Sequence, residues 1–120
     1  MSKGRILLVD DMPTTLELAD HMLTNLGYQV STAQDAVEAI AIVESGQGFD
    51  ILVTDICMPN MNGVELARTV SRRIPNIKVL FTSGFPNATP DEFTEFGASH
   101  ITKPYRKKEI AEVLVRLTAL

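Results

Sequence analysis

The chain is poor in several features that mark common classes of protein. It has a single cysteine, Cys57, so no internal disulfide can form, which agrees with a reducing cytoplasm. No apolar run approaches the roughly 20 residues needed to span a bilayer. The first apolar run is short and ends in two aspartates, so we expect neither a signal peptide nor a membrane-spanning helix.

Positive charge is also scarce. The 11 Lys and Arg residues are outnumbered by 15 Asp and Glu, which leaves a net charge of −4. The only basic triplet, 106–108, is interpreted as the solvated start of a helix, and no tract is dense enough to form a nucleic-acid footprint. With 120 residues, 45% of them apolar, the chain is expected to form one soluble domain over residues 1–120.

The chain does contain a regular alternation of two patterns. Five short apolar runs rich in branched residues predict strands at 5–9, 28–33, 50–54, 77–82 and 99–102. Apolar residues at helical spacing predict four helices within 16–26, 36–43, 66–70 and 110–117. Repeated strand-helix units predict an α/β fold, a doubly wound parallel sheet covered on both faces, with the first and third strands near its centre.

A fifth helix, before the last strand, is the weakest of the predicted elements. Thr89, Pro90 and Glu92 have the spacing of an N-cap, a proline at the first helical position and a capping-box acid. Gly97 is interpreted as the C-terminal stop. Only one or two helical turns fit between these signals.

Charged and hydroxyl side chains occur where the apolar runs end. Asp10 and Asp11 follow the first run, Asp55 follows the third, and Ser83 and Lys103 end the fourth and fifth. Ligands of such sheets bind beyond the carboxyl ends of the strands. If strands one and three are neighbours, these side chains are therefore expected to converge.

Three carboxylates in one place need a counter-charge. Two carboxylates about 4 Å apart repel by about 4 kcal/mol at an effective dielectric of about 20. A hard divalent cation would offset this repulsion, and Mg²⁺ commonly takes one or two carboxylates together with phosphate oxygens. Carboxylates, a metal, a hydroxyl and a lysine suit phosphoryl transfer, in which an aspartate can itself be the nucleophile.

Four segments, in this order and over essentially the whole chain, resemble the receiver domain of two-component response regulators. They are Asp10-Asp11, Asp55-Ile56-Cys57-Met58-Pro59-Asn60-Met61-Asn62-Gly63, Phe81-Thr82-Ser83-Gly84 and Lys103-Pro104. The resemblance, closest to chemotaxis-type regulators, implies a flavodoxin-like (βα)5 fold with strand order 2-1-3-4-5. It also implies a signalling switch that is not an enzyme, although the domain assists its own phosphotransfer and dephosphorylation.

The resemblance implies a role for each residue of the acidic site. Asp55 would accept a phosphoryl group from a sensor histidine kinase or a histidine phosphotransfer protein. Asp11 and Asp55 would bind Mg²⁺ directly, together with the backbone carbonyl of Cys57, while Asp10 would act mainly through water. The side chain of Cys57 is expected to be a small packing group.

The resemblance further implies a conformational switch. Phosphorylation adds about −1.5 to −2 charge at Asp55. Ser83 would move to hydrogen-bond the phosphoryl group, and Lys103 would pair with it. A fifth-strand side chain, usually Tyr or Phe, would rotate into the vacated space, and here that residue is His100. Lys103-Pro104 is expected to be a cis peptide bond.

The family's output face is formed by the predicted helix at 89–97, the fifth strand and the last helix. It implies a downstream protein target, or a second copy in a phosphorylation-dependent dimer, and no direct nucleic-acid contact. Arg106 departs from the favourable capping Asp, Ser or Thr. The chain stops at Leu120, so we expect either a stand-alone receiver or part of a larger regulator or hybrid kinase.

Two positions suggest how long the phosphoryl group lasts. By the resemblance, the residues two after Asp55 and two after Ser83 flank the path of the hydrolytic water. Here they are Cys57 and Phe85, neither of which orients a water well. We therefore expect slow self-dephosphorylation.

Three other functions are compatible with the same fold class. Phosphatases of the haloacid-dehalogenase type use a strand-end aspartate and Mg²⁺, but in Asp-x-Asp spacing, whereas Asp10 and Asp11 are adjacent. A flavodoxin-like electron carrier needs a phosphate loop after Val9, and neither that loop nor a P-loop is present. A receiver that binds partners without phosphorylation usually lacks one of the acids or the lysine.

Overall fold

A computed structural model describes residues 3–84 and 98–118. In this part of the chain five strands alternate with four helices. The elements are β1 (Arg5–Val9), α1 (Pro13–Asn25), β2 (Gln29–Ala33), α2 (Ala36–Glu44), β3 (Ile51–Asp55), α3 (Gly63–Arg73), β4 (Lys78–Ser83), β5 (Ser99–Thr102) and a C-terminal helix (Lys107–Thr118). The predicted strands and these helices are confirmed to within a few residues at their ends. The helix predicted at 89–97 lies outside the described residues.

The five strands form one parallel sheet in the order β2-β1-β3-β4-β5, as predicted. β3 is the central strand and β1 is its neighbour, which agrees with their nearly continuous apolar sequences. In the register of the sheet, Asp55 pairs with Thr82, and Ser83 pairs with Thr102. The last residues of β3, β4 and β5 therefore lie along one edge of the sheet.

Alternate residues of the central strands enter two separate cores. Leu7, Leu52 and Phe81, all fully buried, pack on one face of the sheet against α2 and α3. Ile6, Val53, Leu80 and their neighbours pack on the other face against α1 and the C-terminal helix. Burying one such side chain contributes about 1.5–3 kcal/mol. Both faces of the sheet are thus covered, and its edge is left for polar groups.

Short polar contacts start three of the four helices described. Asp35 and Asn62 each accept a hydrogen bond from a backbone N–H three residues on, at the starts of α2 and α3. α1 starts with Pro13, and its cap residue has no side-chain hydrogen bond. At the C-terminal helix, the N–H of Arg106 donates to Glu109 Oε1 at 2.9 Å, which compensates for the unfavourable cap.

Candidate functional site

The three predicted aspartates meet at the carboxyl edge of the sheet. Asp10 and Asp11 follow β1, and Asp55 is the last residue of β3. Each offers a carboxylate oxygen, and these oxygens all lie within 4.8 Å of one another. Asp10 is 4% exposed and Asp55 7%, while Asp11 is half-buried. Pairing of β1 with β3 produces this cluster, because it places the ends of the two strands side by side.

Lys103 reaches into the cluster from the end of β5. Its ammonium nitrogen Nζ lies 2.7 Å from Asp10 Oδ2 and 3.1 Å from Asp55 Oδ2. The backbone N–H of Lys103 donates to the carbonyl of Ser83 at 2.7 Å, which ties it to the end of β4. The Lys103-Pro104 peptide bond is cis, as predicted. The lysine therefore bridges two of the three acids.

Burial and charge act in opposite directions on these groups. Burial raises the pKa of the Asp55 carboxyl, while the hydrogen bond and charge of Lys103 oppose that rise. Burial alone would lower the pKa of Lys103, but its hydrogen bonds to Asp10 and Asp55 and their charges outweigh burial and raise it. One ammonium faces three carboxyl groups, so the site favours additional positive charge.

Backbone groups also orient the acids. Asp10 Oδ1 accepts the N–H of Met12 at 3.0 Å, and Asp55 Oδ1 accepts the N–H of Cys57 at 3.3 Å. The N–H of Asp10 donates to the carbonyl of Ala33 at the end of β2. These contacts leave the remaining carboxylate oxygens directed toward Lys103.

Cys57 is exposed, so the prediction that its side chain is a small packing group is wrong. The reason is that the chain leaves the sheet after Asp55, and the loop from Ile56 to Asn62 runs over the surface. The residue type alone does not fix its burial; the position of Cys57 in a surface loop does.

Ser83 and His100 lie at different distances from the end of the sheet. Ser83 is the buried last residue of β4, at the same edge as the acids. His100 is half-buried on β5 and pairs with Phe81, two positions back from the Ser83–Thr102 pair. Burial lowers the pKa of His100. Phe85 lies outside the described residues.

Tyr105 is a neighbour of the site that the sequence alone did not identify. Together with Lys103 it lines a cleft of about 340 Å³, which is also lined by residues of α1 such as Leu18 and Met22. Burial raises the pKa of the Tyr105 phenol, and the positive charge of Lys103 opposes that rise. The feature of the sequence that could have identified Tyr105 is its position two residues after Lys103.

Comparison with known proteins gives one consistent family. The sequence pattern of the family described as "Response regulator receiver domain" matches residues 6–115. The two-component response regulator ARR11 of Arabidopsis thaliana is 32% identical over 88% of this chain, and the match spans 21% of ARR11. The response regulator receiver protein CpdR of Brucella abortus is 29% identical over 94% of this chain and 95% of its own length. The chain thus spans about a fifth of the first relative and nearly all of the second.

Solved structures with similar folds come from the same family. The response regulator TrrA of Thermotoga maritima, crystallised with Mg²⁺-BeF, superposes with a TM-score of 0.83 at 27% identity, covering 98% of this chain and 99% of TrrA. The receiver domain of the hybrid histidine kinase CckA superposes with a TM-score of 0.81 at 30% identity, covering 95% and 98%. Within the residues described, no helix has the length and apolar character needed to cross a membrane.

Proposed function

Because the chain belongs to the response regulator receiver domain family, we propose that it is a signalling switch in which Asp55 accepts a phosphoryl group. Receiver domains act in two-component signalling and phosphorelay and are not classical enzymes. One observation carries the choice of residue: the Asp55 carboxylate is buried at the end of the central strand, 3.1 Å from Lys103 Nζ and within 4.8 Å of two other carboxyl groups.

The transfer uses the ionised carboxylate of Asp55 as the nucleophile. One of its oxygens attacks the phosphorus of a phosphohistidine on the donor protein. The new P–O bond forms as the P–N bond breaks, and the bonding electron pair leaves with the imidazole nitrogen, which then takes a proton. Lys103 already contacts Asp55, so its ammonium is placed to pair with the phosphoryl oxygens as negative charge accumulates there.

The residues present fit Mg²⁺. Three carboxyl groups within 4.8 Å of one another form the oxygen-rich, negatively charged donor set that a hard divalent ion requires. We assign direct binding to Asp11, Asp55 and the carbonyl of Cys57, and a water-mediated role to Asp10. When bound, the ion neutralises charge on the transferring phosphoryl group. The related TrrA was crystallised in complex with Mg²⁺-BeF, which supports Mg²⁺ as the ion of this site.

Receiver domains work with histidine kinases and other signalling proteins, and this chain needs a donor and a target. The donor is a sensor histidine kinase or a histidine phosphotransfer protein in the cytoplasm. The target binds the face that includes β5 and the C-terminal helix, where Val115 is 60% exposed. A second copy of the chain, bound on the same face after phosphorylation, is the alternative occupant.

The response to phosphorylation passes through Ser83 and His100. Ser83 moves toward the phosphoryl group on Asp55, and His100 turns into the space that it leaves. His100 is half-buried and lies on the strand next to that of Ser83, so a movement of β4 reaches it directly.

We also expect a long-lived phosphoryl group. The Cys57 side chain is exposed beside Asp55 and, as a weak hydrogen-bond former, orients a water poorly. By the family resemblance, residue 85 also flanks the path of the hydrolytic water, so Phe85→Glu should shorten the lifetime, measured by loss of phosphate after the donor is removed. An unchanged and rapid loss in both proteins would contradict this expectation.

The decisive test is labelling with acetyl phosphate and Mg²⁺, followed by mass spectrometry. The wild-type protein should gain one phosphoryl group that hydroxylamine removes, and Asp55→Asn should gain none. Asp50→Asn is the matched control, because Asp50 is an exposed aspartate at the other end of β3. Labelling that persists in Asp55→Asn, or steady hydrolysis of acetyl phosphate without a stable adduct, would refute the proposal.

A further inference from the structure

Gly63, the first residue of α3, lies against the backbone of the phosphoacceptor. A Cβ atom built on Gly63 would lie 2.2 Å from the carbonyl oxygen of Asp55 and 3.0 Å from the Asp55 carbonyl carbon and from Ile56 Cα. All three are backbone atoms, so no side-chain rotation relieves the overlap. The N–H of Gly63 also donates to the carbonyl of Ile56 at 2.8 Å. Glycine is therefore required here by close approach, since any side chain would collide with the backbone.

The two elements that meet at this contact are both held by the core. β3 is the central strand, and the N–H of Ile56 just beyond it donates to the carbonyl of Thr82 at 3.0 Å. α3 is anchored by Leu66 and Ala67, which are fully buried, and by Val70 at 1% exposure. Close-packed cores of this kind resist displacement. An added Cβ would therefore move neither the strand nor the helix easily.

The loop between them is the part that can yield. Residues 56–62 are exposed or half-buried throughout, and Asn60 has a positive φ of 73°. This loop contains Cys57, whose N–H donates to Asp55 Oδ1 at 3.3 Å. A shift of about 1 Å, enough to relieve the overlap, would be transmitted to Cys57 and to the orientation of the Asp55 carboxylate.

We propose that Gly63 is a positioning residue for the phosphoryl-transfer site: its lack of a side chain lets α3 pack directly on the backbone of Asp55 and so sets the position of Asp55 and Cys57 for Mg²⁺. The inference rests on the proposed function and adds to it the reason why the chain needs glycine eight residues after the phosphoacceptor. Gly63 touches neither the metal nor the phosphoryl group. It acts through the backbone that carries them.

The test compares Gly63→Ala with Gly48→Ala in the full chain. A Cβ on Gly48 meets nothing within 4 Å, so this variant controls for the Gly-to-Ala change itself. Mg²⁺ affinity is measured by calorimetry, and the Cys57 amide resonance is followed in the metal-free protein. Gly63→Ala should weaken Mg²⁺ binding by about 10- to 100-fold, as loss of a supporting contact at a metal site does, and should shift the Cys57 amide. Gly48→Ala should do neither.

Equal Mg²⁺ affinity of folded Gly63→Ala and Gly48→Ala would overturn the inference. If Gly63→Ala does not fold, two variants of Asn62 provide the test. The side chain of Asn62 caps α3 by accepting the N–H of Glu65 at 2.9 Å, so Asn62→Ala removes the cap next to Gly63 and weakens the hold on the start of α3, whereas Asn62→Ser keeps a capping oxygen. Weaker Mg²⁺ binding in the first and recovery in the second supports the inference, and unchanged binding in both overturns it. Failure of the wild-type protein itself to bind Mg²⁺ or take up phosphate would instead refute the proposed function.

Discussion

Asp50 and Asp55 stand at the two ends of the same strand and have very different environments. Asp50, before β3, is exposed, and its Oδ2 accepts the backbone N–H of Arg5 at 2.8 Å. Asp55, the last residue of β3, is 7% exposed and shares Lys103 with a second aspartate. Asp50 is exposed to solvent and links two chain segments through its hydrogen bond to Arg5. Asp55 is buried, and it lies close to two other carboxyl groups and to Lys103.

The direction of the strands explains this difference. In a parallel sheet the carboxyl ends of all strands lie at the same edge, so the residues at or just after the ends of β1, β3, β4 and β5 converge there. At the opposite edge the backbone of Asp50 bonds to both Arg5 and Lys78, and its carboxylate remains in water. The candidate site lies at the carboxyl edge because several chain segments bring polar groups together there in a largely buried environment.

The largest expected effect is on stability, and it should differ between a lysine at the carboxyl edge and a lysine at the amino edge of the sheet. Lys103→Met leaves Asp10 and Asp55 without their ammonium partner and should destabilise the metal-free protein by about 3 kcal/mol, the low end for breaking a buried ion pair, because these groups keep some hydration. Lys78→Met, at the amino edge, should change stability by no more than about 0.5 kcal/mol. Urea denaturation with a chelator present measures both. Equal losses would show that the ion pairs contribute little.

Mg²⁺ should stabilise the folded protein, and this gain should depend on acids at the carboxyl edge and not on those at the amino edge. At a free concentration of about 100 times the dissociation constant, binding to the folded state adds about 2.7 kcal/mol to stability. Asp11→Asn should lose most of that gain, and Asp50→Asn should keep it. Thermal unfolding with and without Mg²⁺ gives the comparison. A gain retained in Asp11→Asn would place the ion elsewhere.

The pH dependence of stability should differ between wild type and Asp55→Asn. Burial raises the pKa of Asp55 above its ordinary 3.8, so the folded state holds the proton more tightly than the unfolded state does. This contribution is present below pH 3.8 and is lost as the pH rises through the folded pKa. Asparagine does not titrate, so Asp55→Asn does not lose this stability as the pH rises. The free energy of unfolding of Asp55→Asn, compared with that of wild type, should therefore be higher at neutral pH than in acid. Melting curves across pH without metal test this, with Asp50→Asn as the baseline for removing one carboxylate.

The smallest expected effect is at Asp50. Asp50→Ala loses the hydrogen bond from the Arg5 N–H and should cost about 0.5–1.5 kcal/mol, toward the low end because water replaces the carboxylate at this exposed site. Labelling by acetyl phosphate should be unchanged. Reduced labelling with normal stability would mean that the amino edge of the sheet influences the site at the carboxyl edge.

Local patterns were sufficient to predict the elements and the candidate residues. Branched apolar runs identified the strands, and the acids just after them identified the carboxyl edge. The third and fourth strands were nevertheless predicted one residue too early, because Asp55 and Ser83 are polar yet still continue the ladders of β3 and β4. Ladder hydrogen bonds depend on the neighbouring strand, which the segment itself does not specify.

Contacts between distant segments could not be predicted in the same way. The sequence suggested that Lys103 would contact an anion, but its bridge between Asp10 and Asp55 depends on how three strand ends are spaced. The exposure of Cys57 and the contact of Gly63 with the Asp55 carbonyl depend on how the 56–62 loop leaves the sheet.

The amino-acid sequence by itself determined the alternation of strands and helices and the placement of acids at strand ends, because periodicity and turn chemistry act over a few residues. The tertiary structure alone decided which polar groups meet, how deeply they are buried and which of them share the Lys103 ammonium. Asp10 and Lys103 are 93 positions apart in the chain, yet their charged atoms are 2.7 Å apart. Distances and desolvation of this kind arise only when the whole sheet is assembled.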